Sequence, residues 1–151
     1  MMKEFLYNLI RKHKYEISIY TAEIFERRCQ EEIIRSDEDN SSFVYLEFDF
    51  ESLHKLIPDE NNYNLFWDIT LAALNKGRRI SDIVGFLEND TGIGMLLLDS
   101  KLEGWNRVKG RILQMANVQS FPDMDKIISG TVKPILYPTC IQNMTQASIS
   151  V

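Results

Sequence analysis

Two short apolar segments that flank a polar turn place the strongest constraint on the fold. They lie at residues 83–87 and 93–98 of the stretch RRISDIVGFLENDTGIGMLLLD, and the five residues between them read ENDTG. Each segment has the length of a strand, is rich in aliphatic residues and is bounded by Gly, Asn or Asp, which is typical of a β-hairpin. The sequence therefore predicts an antiparallel strand pair with an exposed turn, where we expect functional side chains.

The size and charge of the chain limit its classes of function. Its 151 residues, 44% of them hydrophobic, are enough for one domain with its own core. The net charge of -5 gives no general attraction for polyanions, so we expect no nucleic-acid partner. Cys29 and Cys140 are too few for a disulfide framework or a metal cluster, which fits a reducing compartment. Since no stretch approaches the roughly 20 apolar residues that cross a bilayer, we expect a cytoplasmic protein without a membrane span.

The first forty residues predict a long amphipathic helix. Apolar and aromatic residues, with one histidine, recur at intervals of four and three, at Leu6, Ile10, His13, Ile17, Tyr20 and Ile24. Two interpretations of this stripe remain open: it packs on the core of its own domain, or it pairs with a second copy in a coiled-coil homodimer. The polar run RSDEDNSS, residues 35–42, would end the helix. We therefore divide the chain into a helix at 1–40, a domain at 41–138 and a polar tail at 139–151.

Strand and helix patterns alternate through the second of these parts. The predicted elements are a strand at residues 43–50, a helix at 63–75, the hairpin, a helix at 102–118 and a strand at 131–137. Residues 51–62 and 119–130 read mostly as connections, each with about one turn of helix. Because Pro134 cannot donate a ladder hydrogen bond, the last strand should lie at a sheet edge. This order predicts an α+β sandwich of ferredoxin-like type, with a mixed antiparallel sheet and helices packed on it.

The hairpin and the first strand resemble the GGDEF domain of diguanylate cyclases, which belongs to the nucleotidyl-cyclase fold. In that family a hairpin turn carries a five-residue signature, and an Arg-x-x-Asp motif precedes the signature by five residues. Here RISD, residues 79–82, is followed by IVGFL and then by ENDTG. The first strand of the family ends in an Asp-x-Asp pair whose first member binds metal, and Glu47 and Asp49 stand at the matching places. The similarity covers approximately residues 42–137.

The turn departs from the family signature, and the departures imply a domain without catalysis. Its five residues are Glu88, Asn89, Asp90, Thr91 and Gly92. The two signature glycines, which let the backbone approach the phosphates of the substrate, are here Glu88 and Asn89. A carboxylate would then stand where a triphosphate has to lie, which is a costly like-charge contact. We expect no enzyme activity, including residual diguanylate cyclase activity.

One carboxylate of the turn keeps a place that the family uses for metal. Asp90 falls at the metal-binding third position of the signature, so the resemblance implies that Glu47 and Asp90 could form a carboxylate pair for Mg²⁺. Residues 51–62 offer no convincing equivalent of the family's Asn and Asp that bind the nucleotide base. A carboxylate pair alone does not make a cyclase.

A subset of degenerate GGDEF-like domains, associated with bacterial exopolysaccharide biosynthesis proteins, is more similar still. The segments that carry this similarity are RISDIVGFL, IGMLLLD, KLEGW and ILYP, in that order. In the GGDEF family the Arg-x-x-Asp motif is an allosteric site for cyclic di-GMP, which implies a ligand site at Arg79 and Asp82, with Arg78 beside them. Two hypotheses stay open: a signalling or regulatory domain that binds cyclic di-GMP there, and a ligand-free module for dimerisation or for docking a protein partner in polysaccharide or envelope biogenesis.

Overall fold

A computed structural model of the chain describes residues 2–77, 79 and 82–138, and these form six α-helices and five strands. The helices are α1 (Met2–His13), α2 (Ala22–Asp39), α3 (Phe50–Leu56), α4 (Glu60–Gly77), α5 (Leu102–Val118) and α6 (Met124–Thr131). The strands are β1 (Ile19–Tyr20), β2 (Phe43–Asp49), β3 (Ile83–Phe86), β4 (Gly92–Leu98) and β5 (Ile135–Tyr137). Among these residues, no helix is both long enough and apolar enough to span a bilayer.

The strands form one mixed sheet in the order β1-β3-β4-β2-β5. The predicted hairpin is confirmed as β3 and β4, which pair antiparallel with Phe86 opposite Ile93 next to the turn. β4 is buried along its whole length because it lies at the centre of the sheet, where β2 pairs with all seven of its residues. The last strand does lie at an edge, since β5 pairs only with β2, but it begins at Ile135 and not at the predicted residue 131, because Thr131 is the last residue of α6. The predicted α+β sandwich is therefore confirmed.

The main core lies between the inner face of the sheet and the helices α4 and α5. Every second residue of β2, from Val44 to Phe48, points into it and meets side chains such as Trp67 of α4 and Ile112 of α5. Trp67 and Ile112 are completely buried, which explains the apolar 3.6-residue spacing that predicted both helices. The helix at 102–118 has the predicted bounds, and α4 begins three residues before the predicted start.

The N-terminal helix exists, but it ends at His13 and does not continue to residue 40. Lys14 takes a left-handed conformation with φ 54°, and residues 15–18 then connect to β1 without regular secondary structure. The side-chain amide oxygen of Asn75 accepts hydrogen bonds from the backbone N–H groups of Glu16 and Ile17, at 2.8 and 3.2 Å. These bonds, together with parallel pairing of β1 to β3, stabilise a non-helical backbone at a place where the sequence pattern predicted helix.

The coiled-coil interpretation of the N-terminal stripe is therefore wrong. Its residues belong to different elements, and Leu6 is completely buried in the core of its own chain, whereas Tyr20 and Ile24 are exposed. The division at residue 40 needs the same correction, because β1 is a strand of the sheet and α2 packs on β3. Residues 2–40 and 41–138 form one folded unit, and the predicted tail at 139–151 lies outside the described residues.

Two connections contain more helix than the sequence predicted. The segment 51–62 holds most of α3 and the start of α4, and the segment 119–130 holds most of α6. In α3 the Asp49 carboxylate accepts a hydrogen bond from the Ser52 N–H at 2.8 Å, which is a standard helix N-cap. Helices this short are set by their caps and by burial of a few side chains such as Leu53 and Ile128, more than by an extended apolar period.

Candidate functional site

The outer face of the sheet, opposite α4 and α5, is only partly covered. Helix α2 lies over β3 and β4, where the ring of Phe25 rests on Gly85 and Gly94, and a Cβ at either glycine would overlap that ring. Phe25 joins Phe43, Leu96 and neighbouring residues in a second, smaller apolar cluster. The helix also reaches β2 and β5, where Phe25 stacks beside Tyr45 and Asp37 Oδ1 accepts a hydrogen bond from the Tyr137 hydroxyl at 2.8 Å, and an opening remains between these contacts and the hairpin turn.

This opening is a groove of about 790 Å³ between α2, the hairpin turn and the outer face of β2 and β5, which we call the outer groove. Aromatic and aliphatic side chains of the sheet form its floor, namely Phe43, Tyr45, Leu96, Ile135 and Tyr137. Carboxylates are distributed around it, at Glu23, Glu26, Glu47, Asp49 and Glu88. Among the residues that the structure describes, no Lys, Arg or His lines the groove.

Two titratable groups that line the groove reflect this acidic environment. The Tyr45 hydroxyl donates a hydrogen bond to Oε2 of Glu47 at 2.5 Å, and burial, followed by this bond and the Glu47 charge, raises the pKa of Tyr45. Burial also raises the pKa of the Cys29 thiol to about 11, with a further contribution from the Glu26 charge. Both groups stay neutral at pH 7, because the surroundings oppose any additional negative charge.

The hairpin turn places three of its five residues at the mouth of the groove. A short 3-10 helix, Glu88–Asp90, forms the turn, in which Asn89 and Asp90 have φ of 59° and 54°. Glu88 and Asn89 line the groove, together with Thr91. The glycine that follows is required by packing, because a Cβ at Gly92 would overlap the backbone carbonyl oxygen of Phe48.

The predicted carboxylate pair for Mg²⁺ is divided between two environments. Glu47 lies inside the groove with Tyr45, whereas Asp90 is not among the groove residues and lies 3.8 Å from the Lys3 ammonium. In the described part of the chain, no three His, Cys, Asp or Glu side chains come together as a metal-binding group. Asp49, the other acidic residue at the end of β2, lines the groove and caps α3.

The predicted ligand motif lies at the other end of the hairpin from the turn. Nη2 of Arg79 donates to the Leu98 carbonyl oxygen at 2.7 Å, to Ser100 Oγ at 2.5 Å and to Asp82 Oδ1 at 3.4 Å. The other oxygen of Asp82 accepts from the Arg79 N–H at 3.1 Å. Only 4% of the Asp82 side chain is exposed, against 41% for Arg79. The pair thus connects the start of β3 to the end of β4, while Arg78 lies outside the described residues.

Comparison with solved structures identifies the fold. Two structures of the GGDEF domain of TpbB (YfiN) from Pseudomonas aeruginosa each give a TM-score of 0.52 at 18% identity, over 80% of this chain and 73% or 78% of theirs. The chain has a GGDEF-like fold. A DGC protein from Thermotoga maritima is also similar, with a TM-score of 0.47 and 16% identity over 80% of this chain and 83% of that one. No protein-family model and no curated protein matches the sequence.

The GGDEF-like fold confirms the resemblance at the level of architecture, and the outer groove adds residues that the sequence did not indicate. One wall of the groove is made by Phe25, Cys29 and Ile33, which were assigned to a single helix over residues 1–40. Two signals could have found this wall. Thr21 is a good N-cap residue and accepts from the Ile24 N–H, and the three wall residues recur at intervals of four along one helix face.

Proposed function

We propose that this chain is a non-catalytic regulatory domain with a GGDEF-like fold that acts by binding a protein partner. The observation that carries the proposal is the outer groove beside the hairpin turn, which is lined by five carboxylates and, within the described residues, by no cationic side chain. The resemblance to GGDEF domains implies that substrate phosphates would approach this turn. A triphosphate there would meet Glu88 and neighbouring carboxylates in a partly desolvated space without compensating charge.

The contacts of Arg79 and Asp82 support the same proposal. Asp82 is almost completely buried, and both of its oxygens accept hydrogen bonds from Arg79. A guanine ligand would have to compete with these bonds to reach the carboxylate. The pair is sufficiently explained by its role in joining β3 to β4, which favours the interaction module over the cyclic di-GMP receptor.

One observation favours the receptor as a second candidate. The Arg79 side chain keeps 41% of its area exposed, so part of the guanidinium is accessible to a phosphate or a guanine edge. The similarity to exopolysaccharide-associated domains suggests the setting for either function, a cytoplasmic partner in polysaccharide or envelope biogenesis.

Calorimetric titration separates the two candidates and tests for catalysis. The protein is titrated with cyclic di-GMP and, separately, with GTP and Mg²⁺, and the GTP samples are then assayed for turnover. We expect no heat of binding from cyclic di-GMP and no product from GTP. GTP turnover that Glu47→Gln or Asp90→Asn abolishes would refute the proposal.

Micromolar binding of cyclic di-GMP that Arg79→Ala removes would instead support the receptor. The matched control is Arg107→Ala, which removes an exposed arginine from α5. Binding that disappears in both variants would indicate a non-specific loss of positive charge. A thermal melt of each variant, run beside the titration, keeps loss of binding distinct from loss of fold.

A further inference from the structure

The open part of the outer sheet face is long enough for one helix. Helix α2 covers β3 and β4 and also reaches the two remaining strands, because the Phe25 ring stacks beside Tyr45 of β2 and Asp37 Oδ1 accepts a hydrogen bond from the Tyr137 hydroxyl of β5 at 2.8 Å. The groove lies between these contacts and the hairpin turn, over β2 and β5, which are neighbours in the sheet. The open strip of this face is two strands wide, roughly 10 Å, only beside residues 43–45 of β2, because β5 has three residues and pairs with those alone. From there the groove continues along β2 to the hairpin turn, and the seven residues of β2, about 23 Å, match the length of about 15 residues of helix.

The strip is apolar where a helix would lie. Ile135 and Tyr137 of β5 stand beside Phe43 and Tyr45 of β2 on this face, and 49% of Ile135 is exposed. Exposed isoleucines continue along the α2 side, at Ile33 with 37% and Ile34 with 58% of their areas accessible. An apolar strip that joins a helix to a sheet edge is typical of an interaction surface.

Addition of a partner strand at the β5 edge fits less well than a helix. β5 has only three residues and follows Pro134, so its free edge offers few hydrogen bonds to an added strand. A helix needs no such bonds from the sheet. It would pack beside α2 and complete the helical layer on this face.

The charge around the strip determines the chemistry of the helix. Glu26, Glu47 and Glu88 lie on different sides of the groove, and the ion pairs found among the described residues include none of them. A second copy of this chain would bring a net charge of -5 to these carboxylates. A segment with Lys or Arg beside its apolar face would satisfy them.

We propose that the outer groove binds an amphipathic helix of a partner protein, with its apolar face on β2 and β5 and its Lys or Arg side chains beside Glu26, Glu47 and Glu88. This inference rests on the proposed function and deepens it, because it names the surface and the kind of partner. The arrangement is the helix-in-groove mode of recognition, in which apolar anchors supply affinity and charges select the partner.

The test uses the whole chain and three synthetic peptides of about 15 residues. The first is helical, with leucines on one face flanked by lysines; the second has glutamates in place of the lysines; the third has the composition of the first in a scrambled order. Fluorescence anisotropy measures binding of each. We expect the first peptide alone to bind, and to bind more weakly as salt is raised.

Charge-reversal variants assign that binding to the groove. Glu26→Lys combined with Glu88→Lys should weaken the basic peptide by at least about tenfold. The matched control is Glu38→Lys, which makes the same kind of charge change at an exposed residue of α2 outside the groove. Ile135→Ser should also weaken binding, because it removes an apolar contact without changing charge.

Three results would overturn the inference. The first is that the basic peptide does not bind the wild-type chain. The second is that the groove variants and Glu38→Lys lose affinity for the peptide equally. The third is a dimer in sedimentation velocity that the groove variants dissociate, which would identify a second copy as the occupant. Failure of the proposed function is a distinct result, because it would be detected as GTP turnover by the same protein sample. Absence of both turnover and peptide binding would refute only the helical partner.

Discussion

Replacing Arg79 tests whether the Arg-x-x-Asp motif stabilises the fold or is kept for a ligand. In Arg79→Ala the Leu98 carbonyl oxygen and Ser100 Oγ lose this donor, and of the two bonds that residue 79 gives the buried Asp82 carboxylate, the one from the backbone N–H remains. Breaking a fully buried ion pair costs about 3–5 kcal/mol, and exposed pairs are worth less than about 1 kcal/mol. Because 41% of Arg79 is exposed and only 4% of Asp82 is, we expect a loss of about 2 kcal/mol.

Urea unfolding followed by circular dichroism measures this loss. For a chain of this size, 2 kcal/mol also corresponds to a decrease in Tm of roughly 4–8 °C. A double-mutant cycle with Asp82→Asn should give a coupling energy of about 1 kcal/mol or more, since the two residues share hydrogen bonds. Arg107→Ala, an exposed arginine on α5, is the control and should change stability by less than about 0.5 kcal/mol.

An unchanged free energy of unfolding in Arg79→Ala would refute this reasoning. The three bonds of the guanidinium would then make no net contribution to the stability of the fold. Ligand binding would become the better explanation for the Arg-x-x-Asp motif. A stability loss without coupling to Asp82 would be a different result. It would assign the effect to the bonds with Leu98 and Ser100 alone.

Three further predictions concern the outer face. Gly94→Ala should lower the free energy of unfolding by about 1–3 kcal/mol in urea melts, because its Cβ would overlap the Phe25 ring, whereas Gly110→Ala, which has open space, should not destabilise. Asp49→Ala should cost about 1 kcal/mol through loss of the α3 cap, and Asp49→Asn should cost little; equal losses would contradict the capping role. In a Cys140→Ser background, Cys29 should react slowly with a disulfide reagent at pH 8 and faster as pH rises towards its pKa of about 11, so rapid reaction at pH 8 would contradict the burial.

The local patterns of the sequence determined the central elements of this fold. The hairpin follows from two apolar segments around a polar turn, and α5 has the bounds that its apolar spacing predicted. In both cases the deciding interactions are close in sequence, so the pattern contains them. The last strand also lies at an edge, as predicted, but Pro134 precedes it and is not part of its ladder.

The tertiary structure alone decided how residues 14–40 are used. The segment before β1 is stabilised by Asn75, which is 58 residues from Ile17 in the sequence. β1 itself pairs with β3, which comes after α4 in the chain. The sequence of residues 6–24 contains no sign of Asn75 or β3, so its apolar spacing predicted one helix. Contacts of this kind depend on chain segments that only the folded sheet brings together.

The candidate site divides in the same way. The sequence indicated Glu88, Asn89 and Glu47, because they belong to the hairpin turn and to a strand with a recognisable pattern, and the structure places all three in the outer groove. It could not indicate the wall that contains Phe25 and Cys29. That wall exists because two glycines on β3 and β4 let α2 lie against the outer face of the sheet, and such a fit between distant segments is decided by packing in three dimensions.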